Sequence, residues 1–218
     1  MIKDFVASFE HLRKTIGWDI ELCVEIHNNL QTTGALLVAK ALESYRPFFI
    51  EDQFSMEDLK YYRLVRQQSA VGIAVGETFT NRAEWLPLVK DRLIDFFRGH
   101  ISALGGLSIA RKIAMLCEFY NVRTIWHGPS NVSPVGHCVN LHIDMACYNF
   151  GIGEGNPFND TLKEMFPGLP EIRNGIRYPN DLPGLGVDIN ESVAAKFPLK
   201  SEGSNRGARG QDGEPRRP

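Results

Sequence analysis

Cysteine is scarce and unpaired in this chain of 218 residues. Cys23, Cys117, Cys138 and Cys147 sit in apolar or amphipathic contexts without paired metal-ligand spacing, which excludes a zinc ribbon and fits reduced thiols. A basic excess is missing too. Lys plus Arg number 24 against 26 Asp plus Glu, a formal net charge of -2, so neither a nucleic-acid surface nor an anionic-membrane surface is expected. No apolar run is long enough to span a bilayer, and "MIKDFVASFEHLRKTIG" carries charges where a signal peptide needs its apolar core. The expectation is a cytoplasmic globular protein, with a hydrophobic content of 43% that supports one sizeable core.

What the chain does have is alternation. Helical patterns at residues 4–15, "TGALLVAKALESY", "SMEDLKYYRLVRQQ", "RAEWLPLVKD" and "SIARKIAMLCEFY" are separated by the apolar runs "IELCVEIH", "PFFIED", "VGIAVGE", "LIDFFRGHI" and "VRTIWHG". Ser55 is a candidate N-cap, with Asp58 three residues on. A last helical or mixed segment, "GHCVNLHIDMACYNF", leads to "GIGEGNPF". Continuous apolar strands between helices predict a parallel α/β sheet covered on both sides. The final stretch, residues 199–218, is polar and rich in Gly and Arg, and predicts a disordered tail after a domain spanning 1–198.

The first three strands each close on an acid: Glu25, Glu51 and Glu77, at equal separations of 26 residues (51 − 25 = 77 − 51). Parallel barrels gather their strand C-termini on one rim, so these carboxylates should meet, and three acids together need a cation. Hard oxygen donors with room for water and substrate suit Mg²⁺. Within "ELCVEIHNN", Glu25 and His27 lie two apart, which in an extended strand puts them on one face. The later strands add Arg98, His100, His127 and Glu154 to the rim, groups suited to an oxygen-rich anion and to proton transfer. His11, His137 and His142 fall on helical patterns and read as surface or packing residues.

The strings "FFIEDQF", "GIAVGETFTNRAEW", "LIDFFRGHISALGGL", "TIWHGPSNVSPVGH", "YNFGIGEGNPFN" and "IRNGIRYPNDLPGLGVDINESVAAKFP" resemble the C-terminal barrel half of the mannonate dehydratase branch of the enolase superfamily, whose bacterial members are often labelled starvation-sensing proteins. The resemblance implies a TIM-type (β/α) barrel that removes water from a sugar acid such as D-mannonate or D-gluconate, giving a 2-keto-3-deoxy acid. There Mg²⁺ binds the substrate carboxylate and stabilises the enediolate formed when the adjacent proton is lost. By motif, Glu25, Glu51 and Glu77 match metal ligands and His27 the acid that assists loss of the hydroxyl. Arg98, His127, Asn131 and Glu154 match substrate contacts, and Glu77 is expected to touch substrate as well.

The chain departs from that pattern in three places. Glu25 and Asn131 stand where family members usually carry Asp. Complete members also have an N-terminal capping domain and two further barrel strands, with the proton-abstracting Tyr in that preceding part. The expectation is therefore an incomplete barrel of six strands matching the third to the eighth, with Met1 inside the helix after the second, from a fragment, a divergent gene product or half of an assembly. The expected partner is a small-molecule sugar acid, and a homo-oligomer is left open. An active dehydratase, a non-catalytic binding relative and a poorly folding truncated product are the three alternatives.

Overall fold

The computed structural model describes residues 2–198; the expected disordered tail at 199–218 lies outside them. The chain alternates strand and helix as its pattern predicts. In order come α1 (Ile2–Ile16), β1 (Cys23–Glu25), α2 (Thr32–Leu42), β2 (Phe49–Glu51), α3 (Tyr62–Gln68), β3 (Ile73–Val75) and α4 (Arg82–Lys90). β4 (Phe96–Phe97), α5 (Ile101–Leu104), α6 (Leu107–Phe119), β5 (Arg123–Thr124) and α7 (Pro134–Ala146) follow. The C-terminal part adds α8 (Asp160–Met165), the hairpin β6 (Glu171–Arg173) and β7 (Ile176–Tyr178), and α9 (Glu191–Ala194).

β1 to β5 form one sheet in sequence order, every neighbouring pair parallel. The expected sixth strand is reduced to a single parallel bridge between Thr124 and Phe150. Strand residues alternate between two cores. Ile50, Ile73, Val75 and Phe97 join Val38, Ala39, Leu42, Val65, Leu88, Val89 and Ala114 in the large cluster beneath the helices. Phe49, Ala74, Phe96 and Ile125 make a smaller cluster on the other face, where Phe48 and Phe96 rings lie 4.9 Å apart. Adjacent strands come so close at Gly72 that a Cβ there would sit 2.3 Å from the Phe48 carbonyl oxygen.

Several local expectations change. Ser55 precedes a 3₁₀ segment, Met56–Tyr61, and its side chain makes no capping bond; α3 begins only at Tyr62. The run "LIDFFRGHI" yields two strand residues, because His100 already caps the helix that starts at Ile101. Asn81 caps α4 in a full capping box with Glu84, and Ser133 caps α7 by accepting from the Val135 N–H, with Pro134 in the first turn.

Candidate active site

The inner face of the sheet decides where the charges go. Glu51 lies two residues beyond Phe49, and Arg98 two beyond Phe96, so each continues its strand's inner face into the rim at the strand C-termini. Glu25 pairs in register with Glu51, whereas Glu77 comes two residues after β3 ends. His27 does not share a strand face with Glu25. Its φ of 52° places it in a left-handed turn, where its N–H donates to Glu25 Oε1 at 2.6 Å and its Nδ1 lies 3.2 Å from Glu77 Oε1. The pair still meets, through a turn instead of an alternation.

Arg98 is buried, and its Nε donates to Glu51 Oε1 while its Nη1 donates to Glu154 Oε2 at 3.0 Å. The Gly128 N–H donates to the same Glu154 oxygen at 2.6 Å. His127 Nδ1 lies 3.1 Å from Glu77 Oε2 as an ion-pair approach, and 3.9 Å from Glu154 Oε2. Seven of the eight residues matched by motif thus form one connected cluster. Asn131 is the exception: it is exposed in the loop before α7, and among the described residues no bond of the cluster reaches it.

Burial and like charges act together on the acids. Burial, then Glu51 and Glu77, pushes Glu25 up to about 7, and burial with the same neighbours pushes Asp52 up to about 8. Glu51 is also raised by burial, although Arg98 opposes the shift. The nearby His127 holds Glu77 below the usual carboxylate range. For Glu154, burial works upward, but Arg98 and the Gly128 N–H outweigh it and lower the value. Burial opposes the charge on Arg98, yet Glu51 and Glu154 raise its value overall.

Asp52 escaped the sequence reading. It is fully buried, its Oδ2 has no hydrogen-bond partner among the described residues, and its φ of 45° turns it out of the strand. The adjacent acids in "FFIED" were the available signal. Two sets of donor atoms lie within 4.8 Å of one another: Glu25, His27 and Glu77, and Glu51, Asp52 and Glu77. Glu77 belongs to both. Carboxylates that repel one another, with Glu25, Glu51 and Asp52 raised in proton affinity and a buried Asp52 oxygen unpartnered, fit a hard divalent cation. The oxygen-rich donors favour Mg²⁺ over a thiolate-seeking metal.

A larger cavity of about 590 Å³ opens beside this cluster along Phe150–Gly155, with Asp144, Ile176 and Arg177 in its wall. It shares Glu154 with the cluster but none of Glu25, Glu51 or Glu77, so the chemistry is not centred there. The other histidines are peripheral. His137 is buried against Phe158 with ring centroids 5.5 Å apart, and His142 Nε2 lies 3.3 Å from the Leu185 carbonyl oxygen.

The model of a known family, described as enolase C-terminal domain-like, matches residues 1–193. The chain belongs to that family. Its fold is accordingly an enolase C-terminal TIM-barrel-like domain, here seen as five parallel strands and a bridge. Among relatives of this enolase-type domain is the D-galactonate dehydratase family member RspA of Pantoea ananatis, 48% identical over 203 residues, which are 93% of this chain and 48% of the relative. A D-galactonate dehydratase family member of Musicola paradisiaca is 48% identical over 190 residues, 87% of this chain and 46% of the relative. A crystal structure of an enolase from Pantoea ananatis with bound D-gluconate and Mg superimposes with a TM-score of 0.92 at 47% identity. That match covers 100% of this chain and 52% of the other. The chain spans about half the length of the relatives it matches.

Proposed function

We propose that this barrel segment carries Mg²⁺-dependent dehydration of a sugar acid of the D-gluconate or D-mannonate type, yielding a 2-keto-3-deoxy acid. The observation that carries the reading is the convergence of Glu25, Glu51 and Glu77 with His27, Arg98, His127 and Glu154 on one rim. The Pantoea structure with D-gluconate and Mg supports it. No helix of the described residues is long and apolar enough to cross a membrane, which is compatible with a cytoplasmic location.

Glu25, Glu51 and Glu77 would hold the magnesium ion, with Asp52 beside them; when bound, the ion neutralises the substrate carboxylate and makes the adjacent C–H more acidic. His27 presents Nδ1 to Glu77, leaving its second ring nitrogen to protonate the departing hydroxyl. The C–H proton goes to a base, the hydroxyl leaves as water with the proton from His27, and the resulting enol ketonises. Arg98 fixes Glu51 and Glu154 at once, so that the free Glu154 oxygen can accept from a substrate hydroxyl. His127 faces the same space. A contact from Asn131 requires its loop to fold inward. No described residue is assigned the role of that base.

A second reading is binding without turnover. It is favoured by Glu25, which is engaged by the His27 N–H and stands outside the set formed by Glu51, Asp52 and Glu77. One experiment separates the two. Full-length protein is incubated with Mg²⁺ and either D-gluconate or D-mannonate, and 2-keto-3-deoxy product is measured beside calorimetric binding. Product that disappears with EDTA supports dehydration; heat of binding without product supports the second reading; neither signal refutes both.

A further inference from the structure

The sequence pattern placed His100 on the rim, and the reaction described above gives it no part. His100 is the N-cap of α5, where the Leu104 N–H donates to its carbonyl at 3.0 Å, but its side chain makes no capping bond. The ring is instead turned onto His127, with centroids 5.3 Å apart and planes at 39°. Its Nδ1 is buried without a hydrogen-bond partner among the described residues.

The main chain of His127 is held on both sides. Its N–H donates to the Gly99 carbonyl at 3.1 Å, and its own carbonyl accepts from Asn140 Nδ2 at 3.1 Å. Neither bond restrains rotation of the imidazole. Around the ring, Glu77 approaches Nδ1 at 3.1 Å and His100 packs against the ring. Both imidazoles line a cavity of about 120 Å³ with Ser102, Val132 and Asn140. At roughly 30 Å³ per water this cavity has room for a few waters.

We propose that His100 is a positioning residue: its ring packs against His127 and holds that imidazole with Nδ1 toward Glu77. Offset or tilted aromatic contacts at this separation restrict rotation of the rings, and a freed His127 would sample orientations that miss Glu77. Its consequence for catalysis rests on the dehydratase reading, whereas the orientation of the ring does not.

The test follows the ring nitrogens of His127 by NMR in ligand-free, ¹⁵N-histidine-labelled full-length protein, with His127→Gln supplying the assignment. His100→Phe keeps a ring and should leave the His127 signals near their wild-type positions. His100→Ala should move them toward a tautomer-averaged pattern while the cooperative thermal transition persists, and His100→Leu replaces it if the alanine variant does not fold. Unchanged His127 signals in the ring-deleted variant overturn the proposal. Equal displacement in the Phe variant overturns it as well, since packing would then not be the means. With turnover, loss of the ring should lower kcat by roughly 10²-fold, the scale of an ångström-sized misplacement, with KM little changed. If wild-type protein neither binds nor converts D-gluconate, the dehydratase reading fails and the NMR result still decides the role of His100.

Discussion

Burial raises the proton affinity of Glu51, and Arg98, reaching it from two strands away, opposes that shift and favours the ion. Replacing Arg98 with Met strips a buried carboxylate of its partner, and the expected loss is roughly 3–5 kcal/mol of unfolding free energy, as for other broken buried pairs; urea unfolding measures it. The protonation of Glu25 and Asp52 gives a second prediction. Both values are raised, to about 7 and about 8, so the folded state holds protons that the unfolded chain has released near pH 4. Their contribution is present below that pH and is lost as pH climbs through 7 and 8. Glu77 and Glu154 have lowered values and act oppositely, toward acid. Without metal, the urea midpoint should therefore fall between pH 5 and 8, and added Mg²⁺ should flatten the fall. A midpoint that rises over that range with EDTA present would contradict the assigned charge repulsion. Residue types at this scale were legible in the sequence, yet the Arg98 ion pairs and the burial of Asp52 were not, because both depend on neighbours distant along the chain.

At the scale of elements, periodicity located the five strands of the parallel sheet and most helices but overstated strand length. Apolar runs continue past the ladder because their last residues belong to the rim and its turns, as at His27 and His100. The β6–β7 hairpin escaped notice although "EIRNGIRY" alternates around Asn-Gly, a strong short-range hairpin signal. Asn174 and Gly175 take the required positive φ, 50° and 75°. Two predictions belong here. Asn81→Ala removes the cap whose Oδ1 accepts from the Ala83 N–H at 2.9 Å, and should cost about 1 kcal/mol in chemical denaturation, with the sheet intact by circular dichroism. Gly128→Ala puts a Cβ within 2.6 Å of the Glu154 carbonyl oxygen. The displaced Glu154 backbone should weaken sugar-acid binding in calorimetry more than it changes the thermal midpoint; unaltered affinity would remove Glu154 from the proposed contacts.

For the whole molecule, a ligand that joins charges from all five strands should stabilise the fold as a unit. Mg²⁺ with D-gluconate at 100 times the dissociation constant should add about 2.7 kcal/mol, visible as a rise in thermal midpoint larger than the sum of the rises with each component alone if the ion bridges protein and substrate. Independent and additive shifts would argue for separate sites. Within the described residues the sheet is open, ending at β1 and at the Phe150 bridge, and Met145, Tyr148, Phe150 and Ile152 near the second end are exposed. The sequence by itself determined the parallel α/β pattern, the 26-residue rhythm of acids and the family motifs, because these are set by local periodicity and residue identity. Only the tertiary structure decided that Glu77 is shared between two donor sets, that Arg98 ties Glu51 to Glu154, and that His27 reaches its partners through a left-handed turn. Those outcomes follow from strand register and loop conformation, which bring residues dozens of positions apart to within a hydrogen bond.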